Sequence, residues 1–194
     1  MKKRTAKLHR KTKETDVTLE LNLDGAGKYQ IDTGIGFLDH MLSHLSKHSK
    51  IDLKVAAKGD LDVDAHHTVE DIGICLGECL LKALGDKKGI TRYGYSSVPM
   101  EDALANVSVD LSGRANFIYN VEYRTAKIGD FDVECLEGML RSLADNGRFN
   151  LHINVPYGTN SHHIAEAIFK SLGRALGTAV AVTGAALPST KGKL

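Results

Sequence analysis

Long apolar runs are missing from this chain. No stretch approaches the roughly 20 residues that a membrane helix needs. Proline is scarce, with three residues in 194, and no low-complexity tract occurs, which argues against wholesale disorder. Excess charge of either sign is also missing: 25 basic residues face 24 acidic ones, for a net charge of +1. Nothing electrostatic therefore points to a nucleic acid or a membrane surface as partner. The basic start, MKKRTAKLHRKTK, has no apolar stretch behind it and does not read as a signal peptide. The three cysteines, Cys75, Cys79 and Cys135, form no CxxC pair and their number is odd. That excludes a disulfide framework and fits a reducing, cytoplasmic setting. Cys75 and Cys79 lie four apart in an apolar helical pattern and read as buried core thiols. There is no GxxxxGK[ST], and no GxGxxG follows a strand, so nucleotide binding is not indicated.

Apolar residues make up 42% of the chain, enough for a core in one compact domain or two small ones. Histidine, at nine residues, is the unusual count. Its placement follows an internal repeat. DAHHTVEDIGICLGECLLKALG aligns with NSHHIAEAIFKSLGRALGTA at an offset of 96, so His66, His67 and Glu70 fall on His162, His163 and Glu166. Ile72, Leu76, Gly77 and Leu80 fall on Ile168, Leu172, Gly173 and Leu176, giving two helices of one pattern. Asp64 and Asn160 stand where N-caps belong. Upstream, Leu38, Met41, Leu42 and Leu45 match Leu136, Met139, Leu140 and Leu143, predicting a shorter amphipathic helix in each half. Leu53 and Val55 match Leu151 and Ile153 in a following strand. Two strand-like stretches precede each short helix. They alternate at Val17, Leu19, Leu21 and Leu23, then Tyr29 and Ile31, and again at Val107, Val109 and Leu111, then Phe117, Tyr119, Val121 and Tyr123. The expected fold is α+β: two pseudo-symmetric β-β-α-β-α repeats with three or four strands and two helices each. The halves, residues 1–93 and 94–194, form one unit about a pseudo-twofold axis, with the joint near Gly89–Pro99.

On a helix, residues i and i+4 share a face, so His66 pairs with Glu70 and His162 with Glu166. His67 and His163 point about 100° further round. Each HHxxE element thus offers two imidazoles aimed apart and one carboxylate, a set suited to Mn, Fe, Zn or Ni and to shared service of two ions. One such element alone could be a solvated helix terminus; two at matched positions argue for a metal site. His40 and His152 are the best additional ligands. The repeat places Gly138 opposite His40 and Lys54 opposite His152, so the two sites would be similar without being copies. His40, His44 and His48 form one stripe, in which His44 and His48 read as surface or substrate-contacting groups, and His9 reads as surface. Arg92, Arg114 and Lys170 are cations at unrepeated positions, each of which alone reads as a solvated charge. Ser189, Thr190 and Lys191 near the C-terminus combine hydroxyls, amides and a cation suited to a phosphate.

These motifs together resemble the imidazoleglycerol-phosphate dehydratases. KETDVTLELNLDGAG, TGIGFLDHML, DAHHTVED, GITRYG, DLSGRA, NSHHIAEAIFK and PSTKG carry the resemblance over nearly the whole chain. One departure stands out: the family's usual Asp-Glu after Pro-Met is Glu101-Asp102 here. The resemblance implies a two-repeat fold similar to the second domain of ribosomal protein S5. It implies a hydro-lyase of histidine biosynthesis that converts D-erythro-imidazole-glycerol phosphate to imidazole-acetol phosphate. It also implies a shell of 24 subunits with active sites where subunits meet. By the same resemblance, two manganese ions per active site are held by His40, His66, His67, Glu70, His152, His162, His163 and Glu166. Substrate is met by Glu14, His40, His48, Arg92, Arg114, Lys170, Ser189, Thr190 and Lys191. Glu14 is the acid/base candidate, and Glu70 and Glu166 count as catalytic through the metals. In that chemistry a metal on a ring nitrogen favours an imidazolate, which expels the neighbouring hydroxide through a diazafulvene-like species and eases proton removal. Two other readings compete: a His-rich metal-storage oligomer, which leaves the Arg92, Arg114 and Ser189–Lys191 set unexplained, and a two-metal phosphatase, which would be richer in Asp ligands.

Overall fold

A computed structural model describes residues 3–192. The first half runs β1 (Thr5–Lys11), β2 (Thr15–Asn22), β3 (Tyr29–Asp32), α1 (Gly36–Ser49), β4 (Asp52–Gly59) and α2 (His66–Leu84). The second runs β5 (Tyr93–Met100), β6 (Ala103–Asp110), β7 (Asn116–Asn120), a small hairpin β8 (Lys127–Ile128) and β9 (Phe131–Asp132), α3 (Glu134–Gly147), β10 (Asn150–Tyr157) and α4 (Ser161–Val180). The four-stranded sheets have equivalent orders, β1-β2-β4-β3 and β5-β6-β10-β7. In each, the strand before the short helix pairs in parallel with the strand after it, β3 with β4 and β7 with β10. A helical crossover imposes that direction, since only antiparallel neighbours can be joined by a tight turn.

The α+β class and the two-repeat architecture match the expectation from the sequence. Each repeat, however, is β-β-β-α-β-α in its main sheet and helices, with the β8–β9 hairpin inserted before α3 in the second: β1 and β5 are edge strands that the alternation did not announce. β1 buries no residue completely, and the two residues that β5 buries are Gly94 and Ser96. Neither strand carries the apolar period that marks β2 (Val17, Leu19, Leu21) or β6 (Ala103, Ala105, Val107, Val109). The cysteines are all free and buried, and burial pushes their thiol pKa values up, to about 12 for Cys75.

The long helix of each half covers its own sheet, α2 on β1 and β2, α4 on β5 and β6. The short helices cross over: α1 packs on α4 and α3 on α2, so one core runs through both halves. The repeated glycines Gly77 and Gly173 sit at these crossings. A Cβ on Gly77 would lie 2.7 Å from the Leu143 carbonyl oxygen, and one on Gly173 would lie 2.9 Å from the Leu45 carbonyl oxygen. In an open helix Gly→Ala gains about 0.5–1 kcal/mol. Here the sign is expected to reverse: Gly77→Ala and Gly173→Ala should each cost about 1–3 kcal/mol through overpacking. That lowers the melting temperature by several degrees for a chain of this size. Calorimetry checks it; an unchanged or raised melting temperature would show that the crossing has room.

Candidate metal and substrate site

The start of α4 is fixed by Asn160, whose Oδ1 accepts from the backbone amides of His162 (2.8 Å) and His163 (3.3 Å). Asp64, its counterpart, accepts from the His66 amide at 2.7 Å but stands one residue outside the cap position, which Ala65 occupies. The start of α1 is tied by Asp39, whose Oδ1 accepts from the Thr33 amide and hydroxyl at 3.0 and 2.6 Å. These anchors present His40 on α1 toward His162 and Glu166 on α4.

His40, His162 and Glu166 offer ligand atoms that all lie within 4.8 Å of one another. Among the described residues no other trio of His, Cys, Asp and Glu does so. Glu166 Oε2 is 3.4 Å from His162 Nε2 and 3.6 Å from His40 Nε2, which realises the shared i,i+4 face. Its other oxygen accepts from Lys170 at 2.6 Å and lies 3.2 Å from His44 Nε2. Burial opposes the Glu166 charge, since the residue is 7% exposed, yet Lys170, His44 and His40 outweigh it and hold its pKa below the ordinary value. His44, expected as a surface or substrate-contacting group, has a largely buried side chain set against Glu166. Burial, with repulsion from His40, Lys170 and His48, pushes its pKa down to about 4 against the pull of Glu166. It is therefore neutral near pH 7. His48 stacks on His44 with ring centroids 5.9 Å apart.

The other half repeats the imidazole geometry. The His66 and His67 ring centroids are 6.1 Å apart at 88°, and those of His162 and His163 are 6.3 Å apart at 80°. The two rings of each pair are thus aimed apart, as the spacing predicts. α3 carries Gly138 where α1 carries His40, and both His66 and Glu70 are exposed. His67 Nδ1 meets Asp60 Oδ2 at 3.0 Å, with Glu14 Oε2 at 3.9 Å. Hydrogen bonding to Asp60 raises the His67 pKa. His163 Nδ1 meets Asp102 Oδ1 at 2.5 Å. His152 lies on the open face of the second sheet, 3.2 Å from Asn116 Nδ2, between the inward-facing Leu151 and Ile153. Single-chain geometry therefore assembles three of the eight expected ligands and leaves the others at the start of α2, beside Asp102 and on β10.

Among the cations, Lys170 joins the trio through Glu166. Arg92 is no free surface charge: it pairs with Asp110 at 2.7 Å and donates to the Pro188 carbonyl oxygen at 2.8 Å, which holds the root of the C-terminal tail. Ser189 is half-buried there, and Thr190 and Lys191 are exposed. Arg114 is exposed in the turn after β6. Sequence reasoning missed Asp60 and Asp102. The sole signal was the Glu101-Asp102 departure, which falls on the turn that meets His163.

The sequence model of imidazoleglycerol-phosphate dehydratase matches residues 33–176. The chain belongs to the imidazoleglycerol-phosphate dehydratase family. A dehydratase of this name from Desulforudis audaxviator is 55% identical over 190 residues, covering 97% of each chain. One from Clostridium botulinum strain Langeland is 55% identical over 196 residues, covering each chain in full. The crystal structure of the Staphylococcus aureus dehydratase superposes with a TM-score of 0.85 at 39% identity, covering 92% of this chain and 99% of that one. The Pyrococcus furiosus dehydratase, solved in complex with (S)-C348, gives a TM-score of 0.80 at 39% identity, covering 96% and 100%. These dehydratases are hydro-lyases. The span matched by the family model contains the trio and both HHxxE elements; Glu14 and the Ser189–Lys191 tail lie outside it, within the reach of the full-length dehydratase relatives.

Proposed function

We propose that this chain dehydrates D-erythro-imidazole-glycerol phosphate to imidazole-acetol phosphate in histidine biosynthesis, using two manganese ions per active site. The observation that carries this reading is the buried Glu166 carboxylate between His40 and His162, in a chain of the dehydratase family. Imidazole donors with one carboxylate suit a divalent first-row ion, so the donor set fits the metal. His40, His162 and Glu166 would hold one ion; His66, His67, Glu70, His152 and His163 supply the remaining donors. When bound, such an ion supplies Lewis acidity toward a substrate ring nitrogen. No described helix is long and apolar enough to cross a membrane.

The chain's own residues supply binding and proton transfer. Loss of water takes a hydroxyl from the carbon attached to the ring and a proton from the next carbon; the enol so formed becomes the ketone. Glu14, in the turn between β1 and β2 and within reach of His67, is the group that takes the carbon-bound proton. Lys170, held by Glu166, and His48 face the same side of α1 and α4 as the trio. Arg92 fixes the tail through Pro188, so Ser189, Thr190 and Lys191 with Arg114 can grip the phosphate through charge-assisted bonds. Incubation with substrate and Mn2+ tests the reading: imidazole-acetol phosphate without free phosphate is expected. Released phosphate would make the protein a hydrolase, and neither product would return it to metal storage.

The ligand groups that one chain leaves apart would be completed where copies meet, in the 24-subunit shell. Metal bound only by the assembly stabilises it by linkage. Chelator is therefore expected to lower the particle mass toward a small oligomer and Mn2+ to restore it. Light scattering that finds the same mass with and without chelator contradicts shared sites.

A further inference from the structure

We infer that Asp60 and Asp102 are positioning residues that hold His67 and His163 with Nδ1 as the donor, so that Nε2 is the nitrogen offered to a cation. The inference rests on the cation-binding reading above. An ionised carboxylate only accepts, so the imidazole nitrogen beside it must carry the proton. An imidazole coordinates through its unprotonated nitrogen, and a carboxylate on the other nitrogen fixes both tautomer and ring orientation. The two carboxylates come from different places in the fold. Asp60 follows β4, just before α2, whereas Asp102 lies in the turn between β5 and β6. They nevertheless act on the matched second histidine of each HHxxE element, at 3.0 and 2.5 Å.

The two contacts differ in how firmly they are built. Asp102 Oδ2 accepts from the Thr159 amide (2.6 Å), the Thr159 hydroxyl (2.6 Å) and the Asn160 amide (2.9 Å). Its Oδ1 is thereby aimed at His163. Asp60 has one oxygen on His67, and its buried Oδ1 meets no hydrogen-bond partner among the described residues. This difference separates positioning from mere structural support. In Asp102→Asn the three donors from Thr159 and Asn160 keep the amide oxygen at the Oδ2 place. The NH2 group must then face His163 Nδ1, which becomes an acceptor and sends the ring proton to Nε2. In Asp102→Ala both tautomers stay accessible, but all three bonds to the α4 entry are lost. In Asp60→Asn the amide can turn either way.

The test measures Mn2+ binding by the paramagnetic resonance signal of the free ion, and the melting temperature of the metal-free protein, for wild type and the three variants. Mn2+ affinity is expected to fall in the order wild type, Asp102→Ala, Asp102→Asn, with a loss of about 10–100-fold for the last. Asp60→Asn should lose less than Asp102→Asn. Melting temperature should follow the opposite order for the two Asp102 variants, with Asn above Ala. If both quantities rank Asn above Ala, Asp102 is only a structural clamp and the inference fails. If the Ala variant does not fold, nitrogen-15 shifts of the ring in metal-free Asp102→Asn decide: protonated Nε2 supports the inference and protonated Nδ1 overturns it. A wild-type protein that takes up no Mn2+ overturns the cation reading, and this inference with it.

Discussion

Glu166→Gln is expected to remove manganese and turnover together. The carboxylate is 7% exposed and gathers His40, His44, His162 and Lys170 within 3.6 Å. The amide keeps the shape but leaves the Lys170 ammonium and three imidazoles around a neutral group. Removing one partner of a buried ion pair costs about 3–5 kcal/mol, because the remaining charge is left uncompensated. The metal-free variant should therefore melt well below wild type. A cation held by His40 and His162 loses its one anionic donor, and with it several kcal/mol of charge stabilisation. Turnover should drop by at least about 10³-fold. Metal analysis, melting and rate measured on one preparation check this. Full manganese content with a rate within about tenfold of wild type would show that Glu166 supports the fold and not the ion.

Glu14→Gln is expected to do the reverse: turnover falls while metal stays. Glu14 has a side chain 56% exposed at the end of the β1–β2 hairpin and makes no hydrogen bond that α2 needs; on that helix it lies 3.9 Å from His67 Nδ1. The hairpin itself is secured elsewhere. The Thr12 hydroxyl accepts from the Glu14 and Thr15 amides, and Asp71 on α2 accepts from Arg10 and from the Thr15 hydroxyl. The substitution should leave melting temperature, manganese per chain and particle mass unchanged. Loss of one general base costs about 10²–10⁴-fold in rate. A rate near that of wild type, with metal and mass intact, would assign proton removal to another group.

Much of this arrangement was legible because the repeat wrote it twice. The apolar periods of α1 to α4 and of β2, β4, β6 and β10 recur at matched positions, and so do the two HHxxE elements. Contacts that depend on distant loops left no such trace. Asp102 reaches His163 across 61 residues, and Asp60 precedes α2 without a helical period to connect it with His67. β1 and β5 lie at sheet edges, where one face stays partly wet and buried positions can be glycine or serine, so hydropathy does not mark them. His44 reads as surface or substrate-contacting in the sequence because a stripe of three histidines does not say which member faces the partner helix; α4 supplies that answer through Glu166. Arg92 taken alone reads as a solvated cation because its partners, Asp110 and Pro188, come together only when the tail folds back on β5 and β6.

The account stands on the trio of His40, His162 and Glu166 as one arm of a manganese site. The most direct measurement is an anomalous-difference map at the manganese absorption edge, from crystals of the protein grown with Mn2+. Two peaks per chain are expected, one of them within coordination distance of His40 Nε2, His162 Nε2 and a Glu166 oxygen, about 2.0–2.3 Å for such ligands. A manganese-loaded crystal with no peak at that trio would contradict the account.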